Sequence, residues 1–408
     1  MTTRGPGTAG LERRDEQVRI LDTILRRGPM SRSELVIRTG YSRAIIADRI
    51  GELIEEGVLE PEPASRSVRG RPAAVNRLAP GYGHVLAAVA GFSHVRIALM
   101  DAAQGLIAQE VQDADPRRPA RVLVDQVVDG YRRLAAGASL PPLRGVCIGL
   151  PAPVQYAAGI LVAPPDLPHW DGFEMNRAFE HILDVPCWTD NEVNLMAVGE
   201  HLARGGQPDD LLFVKIGHGI GTGIIGSGRL HRGADGSAGD IGHNRVPSST
   251  MACACGRTGC LGATAGADAW ARRGWDVSGL LRERRGLPAA AVGSTNEMPH
   301  RAPLDEVMRE SGTAIGEALA ALVNFFNPAL IVLGGSVVLG ADLLVATIRQ
   351  AVYANALPLA TRHLRLERSV AEDMAGVTGA AFMAISGVHR AGGGWQADAD
   401  AGFVARAG

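Results

Sequence analysis

Residues 253–262 read CACGRTGCLG and contain three of the five cysteines in this chain of 408 residues. His243 lies a short distance upstream, in the string GDIGHN. One imidazole and three sulfurs suit a tetrahedral zinc ion, and four protein ligands leave no open position for catalysis. Gly256 and Gly259 allow the loop to turn tightly enough for its cysteines to reach one ion. The sequence therefore predicts one structural zinc per chain, bound by His243, Cys253, Cys255 and Cys260.

Two other interpretations of the cysteine cluster remain open, a redox pair and a set of buried free thiols. Cys147 and Cys187 lie in apolar, strand-like contexts, and we expect them to be small core residues. The N-terminus lacks the apolar core of a signal peptide, and no apolar run is long enough to span a bilayer. We therefore expect a cytoplasmic protein with no membrane partner, and in that compartment structural disulfides are rare.

Charge is unevenly distributed along the chain. Residues 1–80 contain 14 Arg, no Lys and 11 Asp or Glu, whereas the whole chain has a net charge of −2. A basic end on an acidic body is typical of a nucleic-acid contact. Lys215 is the only lysine of the chain. The alternative explanation for the many arginines of residues 1–80 is therefore a general preference for arginine over lysine.

The N-terminal pattern favours DNA binding. Apolar residues with helical spacing predict a helix over 15–27. Ser31 and Glu34 form a capping box at the start of a short helix that Gly40 can end. Ser42 is the next N-cap, and a third helix is predicted from residue 43 to about 56. Two short helices joined by a glycine-containing turn, with another helix behind them, describe a helix-turn-helix.

A wing follows this motif, with strand-like ends and a basic tip that reads RGRP. Arginines in such a wing suit phosphates or a narrow minor groove. The alternatives are a protein-interaction module and arginines that are merely solvated. The residues predicted to contact double-stranded operator DNA are Arg32, Ser42, Arg43, Ala44, Arg69, Gly70 and Arg71.

From residue 82 onward, strands and helices alternate, which argues for an α/β body. We expect two or three adjacent strands first, then a buried strand that runs into a proline-rich loop, a glycine-rich hairpin, and a strand–turn–helix unit. Residues 284–303 are expected to form a surface loop, and 391–408 a flexible tail.

Several strings of the body resemble landmarks of the ROK family, which comprises repressors, open reading frames and sugar kinases. In chain order they are GLPAPV, PHWDGF, DNEVNLMAVGE, GIGTGIIGSGRLHRG, SAGDIGHN, CACGRTGCLG and NPALIVLGGSV. The resemblance implies an actin-like fold of the sugar-kinase and RNase H type, in which two lobes flank a cleft beside the zinc loop. Family repressors carry an N-terminal helix-turn-helix and a GRP wing like the one in this chain. The expected domains are 11–79 for DNA binding and 80–390 for effector binding. One lobe of the effector domain is expected at about 80–195 plus a C-terminal helix over 366–390, and the other lobe at about 196–365.

The same resemblance predicts that the chain is not an enzyme. ROK kinases place an Asp-x-Gly-Gly-Thr-like turn after the first strand of the body, and their catalytic Asp lies in an Asn-Asp-x-Asn string. Here Val89 takes the acidic position, Phe92 the second glycine and Ser93 the threonine. The string reads NEVN, so Glu192 replaces the Asp. Phosphoryl transfer depends on positioning and charge stabilisation that these changes weaken.

The sugar site implied by the resemblance also differs, because Asp240 and Gly262 stand where the family usually has glutamates. The pocket is thus expected to bind a different sugar, a modified sugar or a larger effector, or to bind no ligand. Glu192 and Asp240 could equally be ordinary polar residues of a cleft wall. The residues predicted to bind a small-molecule effector are Pro151, Asn191, Glu192, Asp240 and His243.

Together these features predict a sugar-responsive transcriptional repressor of carbohydrate metabolism genes. Because helix-turn-helix proteins match a symmetric operator with their own symmetry, a homodimer or a dimer of dimers is expected. One alternative is a ROK-type sugar kinase that carries a DNA-binding appendage. Another is a zinc-stabilised scaffold that binds neither sugar nor DNA tightly.

Overall fold

The computed structural model describes residues 6–62, 74–275, 303–338 and 340–391. The wing tip with Arg69, Gly70 and Arg71, the tail after 391 and nearly all of the loop expected at 284–303 lie outside these residues. Within the described chain, no helix is both long and apolar enough to cross a membrane.

Three helices and a small sheet form the N-terminal part of the chain, which we call the head (described residues 6–62 and 74–79). The helices are α1 (Pro6–Arg27), α2 (Arg32–Thr39) and α3 (Arg43–Glu55). The strands are β1 (Met30–Ser31), β2 (Leu59–Glu62) and β3 (Val75–Leu78), which pair antiparallel in the order β1-β3-β2. Helix α1 begins earlier than the predicted residue 15, and α2 and α3 lie where the caps predict them.

The capping residues of the head are confirmed. Glu34 accepts a hydrogen bond from the Ser31 amide at 2.8 Å, and its own amide donates to the Ser31 hydroxyl at 3.3 Å. Gly40 ends α2 with a φ of 76°, a left-handed conformation that glycine adopts without strain. Ser42 caps α3 by accepting from the Ile45 amide at 3.3 Å.

The body contains two five-stranded sheets that share one topology. The first sheet has β4 (His84–Ala90), β5 (His94–Asp101), β6 (Leu106–Asp113), β7 (Leu143–Leu150) and, after a small hairpin of β8 (Val154–Gln155) and β9 (Ile160–Leu161), β10 (Cys187–Asn191). The second sheet has β11 (Leu211–Ile216), β12 (Ile220–Gly226), β13 (Arg229–His231), β14 (Leu330–Gly334) and β15 (Arg365–Arg368). Their strand orders are β10-β7-β4-β5-β6 and β13-β12-β11-β14-β15. In each sheet three consecutive strands run antiparallel and two later strands join in parallel, which confirms the two-part α/β architecture.

Helices cover both sheets. They are α4 (Ala120–Ala135), α5 (Met175–Leu183), α6 (Glu192–Ala203), α7 (Leu261–Ala265), α8 (Ala267–Arg272), α9 (Leu304–Phe326), α10 (Asp342–Asn355), α11 (Pro358–Thr361) and α12 (Ala375–Ala391). Residues 211–214 of β11 are all fully buried. Leu211 and Phe213 pack in a cluster with α6, whereas Leu212 and Val214 pack in a cluster with α9 and α10. Burial on both faces explains why this strand is an unbroken apolar run.

The prediction of a C-terminal helix over 366–390 is wrong at its start. Residues 365–368 form the parallel edge strand β15 of the second sheet, where Leu366 pairs with Ile331. The helix begins at Ala375. Between them, the buried carboxylate of Glu200 accepts hydrogen bonds from the Ser369 hydroxyl and from the amides of Val370 and Ala371. This contact fixes the loop in a non-helical path.

Helices α6 and α12 cross at very short range. A Cβ atom built on Gly199 would lie 1.8 Å from the Ala375 carbonyl oxygen, and one built on Gly379 would lie 1.9 Å from that of Leu195. Both neighbours are backbone atoms, so no side-chain movement can relieve the overlap. The close crossing of α6 and α12 therefore requires glycine at both positions.

We expect Gly379→Ala to lower the free energy of unfolding by about 3 kcal/mol, because overpacking against backbone forces the two helices apart. Gly51→Ala is the matched control, since a Cβ on Gly51 within α3 meets no atom within 4 Å. That substitution should be neutral or stabilising by up to about 1 kcal/mol. Thermal and guanidinium unfolding measure both, and a Gly379→Ala protein as stable as the parent would contradict the close crossing.

Candidate functional site

A cleft opens between the two large sheets and encloses about 140 Å³. Its walls come from the loops that follow β7, β9 and β13, from the start of α6, and from the β4–β5 and β11–β12 turns. All five residues that sequence analysis assigned to effector binding line it, namely Pro151, Asn191, Glu192, Asp240 and His243. The structure thus brings together residues that lie far apart in the chain.

Asn191 fixes one wall of the cleft. Its side-chain oxygen caps α6 by accepting a hydrogen bond from the Val193 amide at 2.8 Å. Its side-chain nitrogen donates to the Ala152 carbonyl at 3.1 Å, which holds the proline-rich loop after β7 against the start of α6. An amide nitrogen carries two hydrogens, so one donor of Asn191 remains available to a ligand.

Glu192 and Lys215 form an ion pair across the floor of the cleft. Glu192 is the first residue of α6 and Lys215 lies on β11 of the second sheet. Their side chains are only 8% and 15% exposed, and Lys215 donates a hydrogen bond to the carboxylate. The ion pair neutralises the Glu192 carboxylate. Sequence analysis missed this partner, although the only lysine of the chain on a buried strand was a signal.

A second buried ion pair lies behind the cleft. Arg232, in the loop after β13, contacts Asp190 at the end of β10 with two nitrogens, at 2.8 and 2.9 Å. The guanidinium carbon lies 3.7 Å from the centre of the Tyr156 ring, and burial raises the pKa of that tyrosine to about 12. Asn194 donates to the other oxygen of Asp190 at 2.8 Å. Both nitrogens of Arg232 contact the same oxygen of Asp190, and this ion pair ties the loop after β13 to the first sheet.

An aromatic stack includes Phe92, which is one of the residues that line the cleft. The rings of Phe92, in the β4–β5 turn, and His218, in the β11–β12 turn, have centroids 3.8 Å apart and planes 23° apart. His218 Nδ1 lies 3.0 Å from a carboxylate oxygen of Asp268. Phe92 therefore packs against the β11–β12 turn of the second sheet rather than pointing into solvent.

The four predicted metal ligands form one cluster. The ligand atoms of His243, Cys253, Cys255 and Cys260 all lie within 4.8 Å of one another. The Cys255 and Cys260 sulfurs are 3.6 Å apart, and so are the Cys253 sulfur and His243 Nδ1. A tetrahedral zinc ion with Zn–S bonds of about 2.3 Å would require sulfurs about 3.8 Å apart. The donor set and its spacing therefore fit a four-coordinate metal.

Local backbone structure holds the cysteine loop in this shape. Gly256 and Gly259 have φ values of 83° and 76°, so the two turns that bring the sulfurs together require glycine. Burial opposes ionisation of Cys255, but hydrogen bonds from the amide and guanidinium of Arg257 and contacts with the neighbouring thiols lower its pKa to about 6. A thiolate is the form that binds metal.

His243 belongs to both the metal cluster and the cleft. Its Nδ1 faces Cys253, and the same ring lines the cavity. Asp240 lies at the start of the same turn. A metal at this cluster would therefore hold one wall of the cleft in place.

Asp166 is a cleft residue that sequence analysis missed. It lies in the loop after β9, on the side of the first sheet, and lines the cavity with Asp240 of the other side. Both residues are exposed. Neither carboxylate has a hydrogen-bond or ion-pair partner within the described chain. No motif marks Asp166, since only the fold brings it to the cleft.

The predicted DNA contacts within the described head all lie on its surface. Arg32, Ser42, Arg43 and Ala44 are exposed, and they lie at the starts of α2 and α3. Ile37 of α2 is 79% exposed, which is unusual for a large aliphatic side chain. Sequence analysis did not single out this residue.

Comparison with known proteins places this geometry in a family. The xylose repressor of Caldicellulosiruptor bescii is 26% identical over 386 residues, which cover 90% of this chain and 94% of that protein. A ROK family transcriptional regulator, described as a homologue of the E. coli MLC protein, superposes with a TM-score of 0.72 at 24% identity, covering 93% of this chain and 96% of that one. A ROK glucokinase from Streptomyces griseus, solved with glucose and AMPPNP, has a TM-score of 0.61 at 23% identity, covering 74% and 99%. The model of the ROK family matches residues 86–386, and this chain belongs to that family.

Proposed function

We propose that this protein is a transcriptional repressor of carbohydrate metabolism genes whose affinity for DNA responds to a sugar or a sugar derivative. The observation that carries the proposal is the packing of an arginine-bearing head on α12, the helix that also packs against the cleft helix α6. Relatives along nearly the full length of the chain, including a xylose repressor and a transcriptional regulator, support it.

The head is interpreted as a winged helix-turn-helix, with α3 as the recognition helix and the β2–β3 hairpin as the wing. Arg43 lies in the first turn of α3, is exposed, and forms no ion pair or hydrogen bond within the described chain. The N-terminal residues of a recognition helix contact base edges in the major groove. Arg32 lies at the start of α2, where it can reach the DNA backbone. The division between head and body gives the proposed domain boundaries of 11–79 and 80–390.

Arg43→Ala should weaken binding to a specific operator by about 1–3 kcal/mol, the usual contribution of an arginine that reads guanine. Fluorescence anisotropy with DNA from the promoter of the protein's own gene measures the change. Arg309→Ala, on the exposed face of α9, is the control and should leave affinity unchanged.

Removal of residues 1–79 tests the assignment of the head directly. The truncated chain should lose operator binding, and substitution of Arg69 or Arg71 in the wing should flatten the dependence of affinity on salt. Equal operator binding by the truncated and full chains would show that the head is not the DNA-binding domain.

We infer that the metal at the cysteine cluster is a structural zinc ion, one per chain. A Cys3His set is typical of closed zinc sites, and the cluster lies at the edge of the cleft rather than inside it. When bound, the ion would cross-link the loop around residues 243–262 and so support the position of His243.

Cys255→Ser should release the zinc and lower the melting temperature, because metal binding contributes directly to the stability of such a loop. Elemental analysis of the purified parent should give about one zinc per chain. Cys187→Ala, which alters a buried thiol of the first sheet, should keep its zinc. Metal-free parent protein with unchanged thermal stability would refute the structural role.

The repressor interpretation competes with a sugar kinase, and the cleft favours the repressor. The apolar side chain of Val89 packs against Gly149 and Gly376. A Cβ atom built on either glycine would lie about 3 Å from Cγ2 of Val89. Phe92 is stacked on His218, and Glu192 is paired with Lys215. A base that is already held by a cation is poorly placed to accept a proton from a hydroxyl.

We expect no sugar-dependent ADP release when the protein is incubated with ATP, magnesium and a panel of hexoses, pentoses, N-acetylhexosamines and disaccharides. Restoring aspartate with Glu192→Asp should not rescue activity, because Val89 and Phe92 still obstruct the phosphate turn. Turnover anywhere near about 1–1000 per second, the range typical of enzymes, would establish the kinase instead.

Operator binding is proposed to involve a homodimer or a dimer of dimers on a pseudo-palindromic site. A change in the angle between the two lobes would alter the spacing of the two heads and thereby shift the population that fits the operator. The lobe angle that the effector favours determines whether the effector strengthens or weakens operator binding.

A further inference from the structure

The charged side chains of the cleft are mainly acidic. Asp166, Glu192 and Asp240 line it, and Lys215 is the single Lys or Arg among its lining residues in the described chain. Lys215 is already engaged by Glu192. An incoming ligand therefore meets two carboxylates that have no partner in the described structure and one ion pair whose charges cancel.

Two donors of Thr222, on the glycine-rich strand β12 beside the cleft, are not available to an anion. Backbone amides can cradle phosphate when they are free. Here the Thr222 amide donates to the Gly239 carbonyl at 2.9 Å, and the Thr222 hydroxyl donates to the same oxygen at 2.8 Å. These two donors are consumed within the protein. A phosphate in the cleft would gain nothing from them.

We propose that the cleft takes an uncharged sugar and selects against the phosphorylated form of that sugar. This inference rests on the proposed sugar response. A phosphate dianion would lose its hydration shell beside Asp166 and Asp240 without an unpaired cation to replace the solvent, which is unfavourable in a partly enclosed site.

The same groups suit a neutral sugar. Carboxylates accept hydrogen bonds from hydroxyl groups, and Asp166 and Asp240 reach the cavity from opposite sides. Pro164, Pro165 and Ile220 supply apolar lining, against which the C–H face of a pyranose ring can pack. Selection between the two forms is thus set by charge and not by size alone.

Isothermal titration of the full-length, zinc-loaded protein with matched pairs tests the proposal. The probes are glucose and glucose 6-phosphate, N-acetylglucosamine and its 6-phosphate, and xylose and xylose 5-phosphate. Each neutral sugar that binds should do so at least about tenfold more tightly than its phosphorylated form, a difference of about 1.4 kcal/mol. Release of operator DNA is recorded in parallel with the same six compounds.

Two variants distinguish selection by charge from a structural effect. Glu192→Gln leaves Lys215 without its counter-charge, and it should shift the affinity ratio about tenfold toward the phosphorylated sugar. The double variant Asp166→Asn, Asp240→Asn should weaken the neutral sugar and also reduce the discrimination. Glu317→Gln, on the exposed face of α9, is the matched control and should leave the ratio unchanged.

The outcomes separate this inference from the function on which it rests. A phosphorylated sugar that binds as tightly as its neutral partner, or more tightly, overturns the charge selection and leaves the sugar-responsive repressor standing. An affinity ratio that stays constant in Glu192→Gln overturns the assigned role of the ion pair. If no compound of any pair binds or releases DNA, the sugar response itself fails, and the inference fails with it.

Discussion

The close crossing of α6 and α12 is the constraint on which the rest of the molecule depends. Gly199 and Gly379 let the two helices approach until backbone meets backbone. The first turn of α6 carries Glu192 and Asn194 into the cleft, while α12 packs on the first sheet and against α1. Rigid packing of this kind transmits displacement instead of absorbing it. A movement of α6 at the cleft wall would therefore be passed to α12, on which the head packs.

Helix α1 contacts both sides of the body. The Leu25 carbonyl accepts a hydrogen bond from Gln104 of the first sheet at 2.8 Å. Arg26 donates to the Gly228 carbonyl in the β12–β13 turn at 3.2 Å, and Arg27 pairs with Asp209, just before β11, at 3.1 Å. The end of α1 thus bridges elements of the two sheets. A change in their relative position must break one of these contacts or move the helix, which gives the proposed lobe movement a direct route to the head.

The parts of the structure that could be predicted from the sequence are those fixed by neighbours in the chain. Ser31, Glu34 and Ser42 satisfy amides within three residues, and the cysteine loop closes over a short span, so local spacing suffices. The pairs Glu192–Lys215 and Asp190–Arg232 join different sheets across 23 and 42 residues. Only the assembled fold decides that these groups meet. The start of α12 was missed for the same reason, since β15 exists through its pairing with β14.

Polar and aromatic contacts of the cleft hold its two sides together. Glu192 is bound to Lys215, and Phe92 is stacked on His218. Each of these contacts joins the first sheet to the second. Catalysis requires groups that are preorganised for a transition state and free to act on it, whereas a sensor requires contacts whose strength depends on the angle between the sheets. Glu192 and Phe92 are already engaged in contacts of the second kind, which supports the proposed response to a ligand.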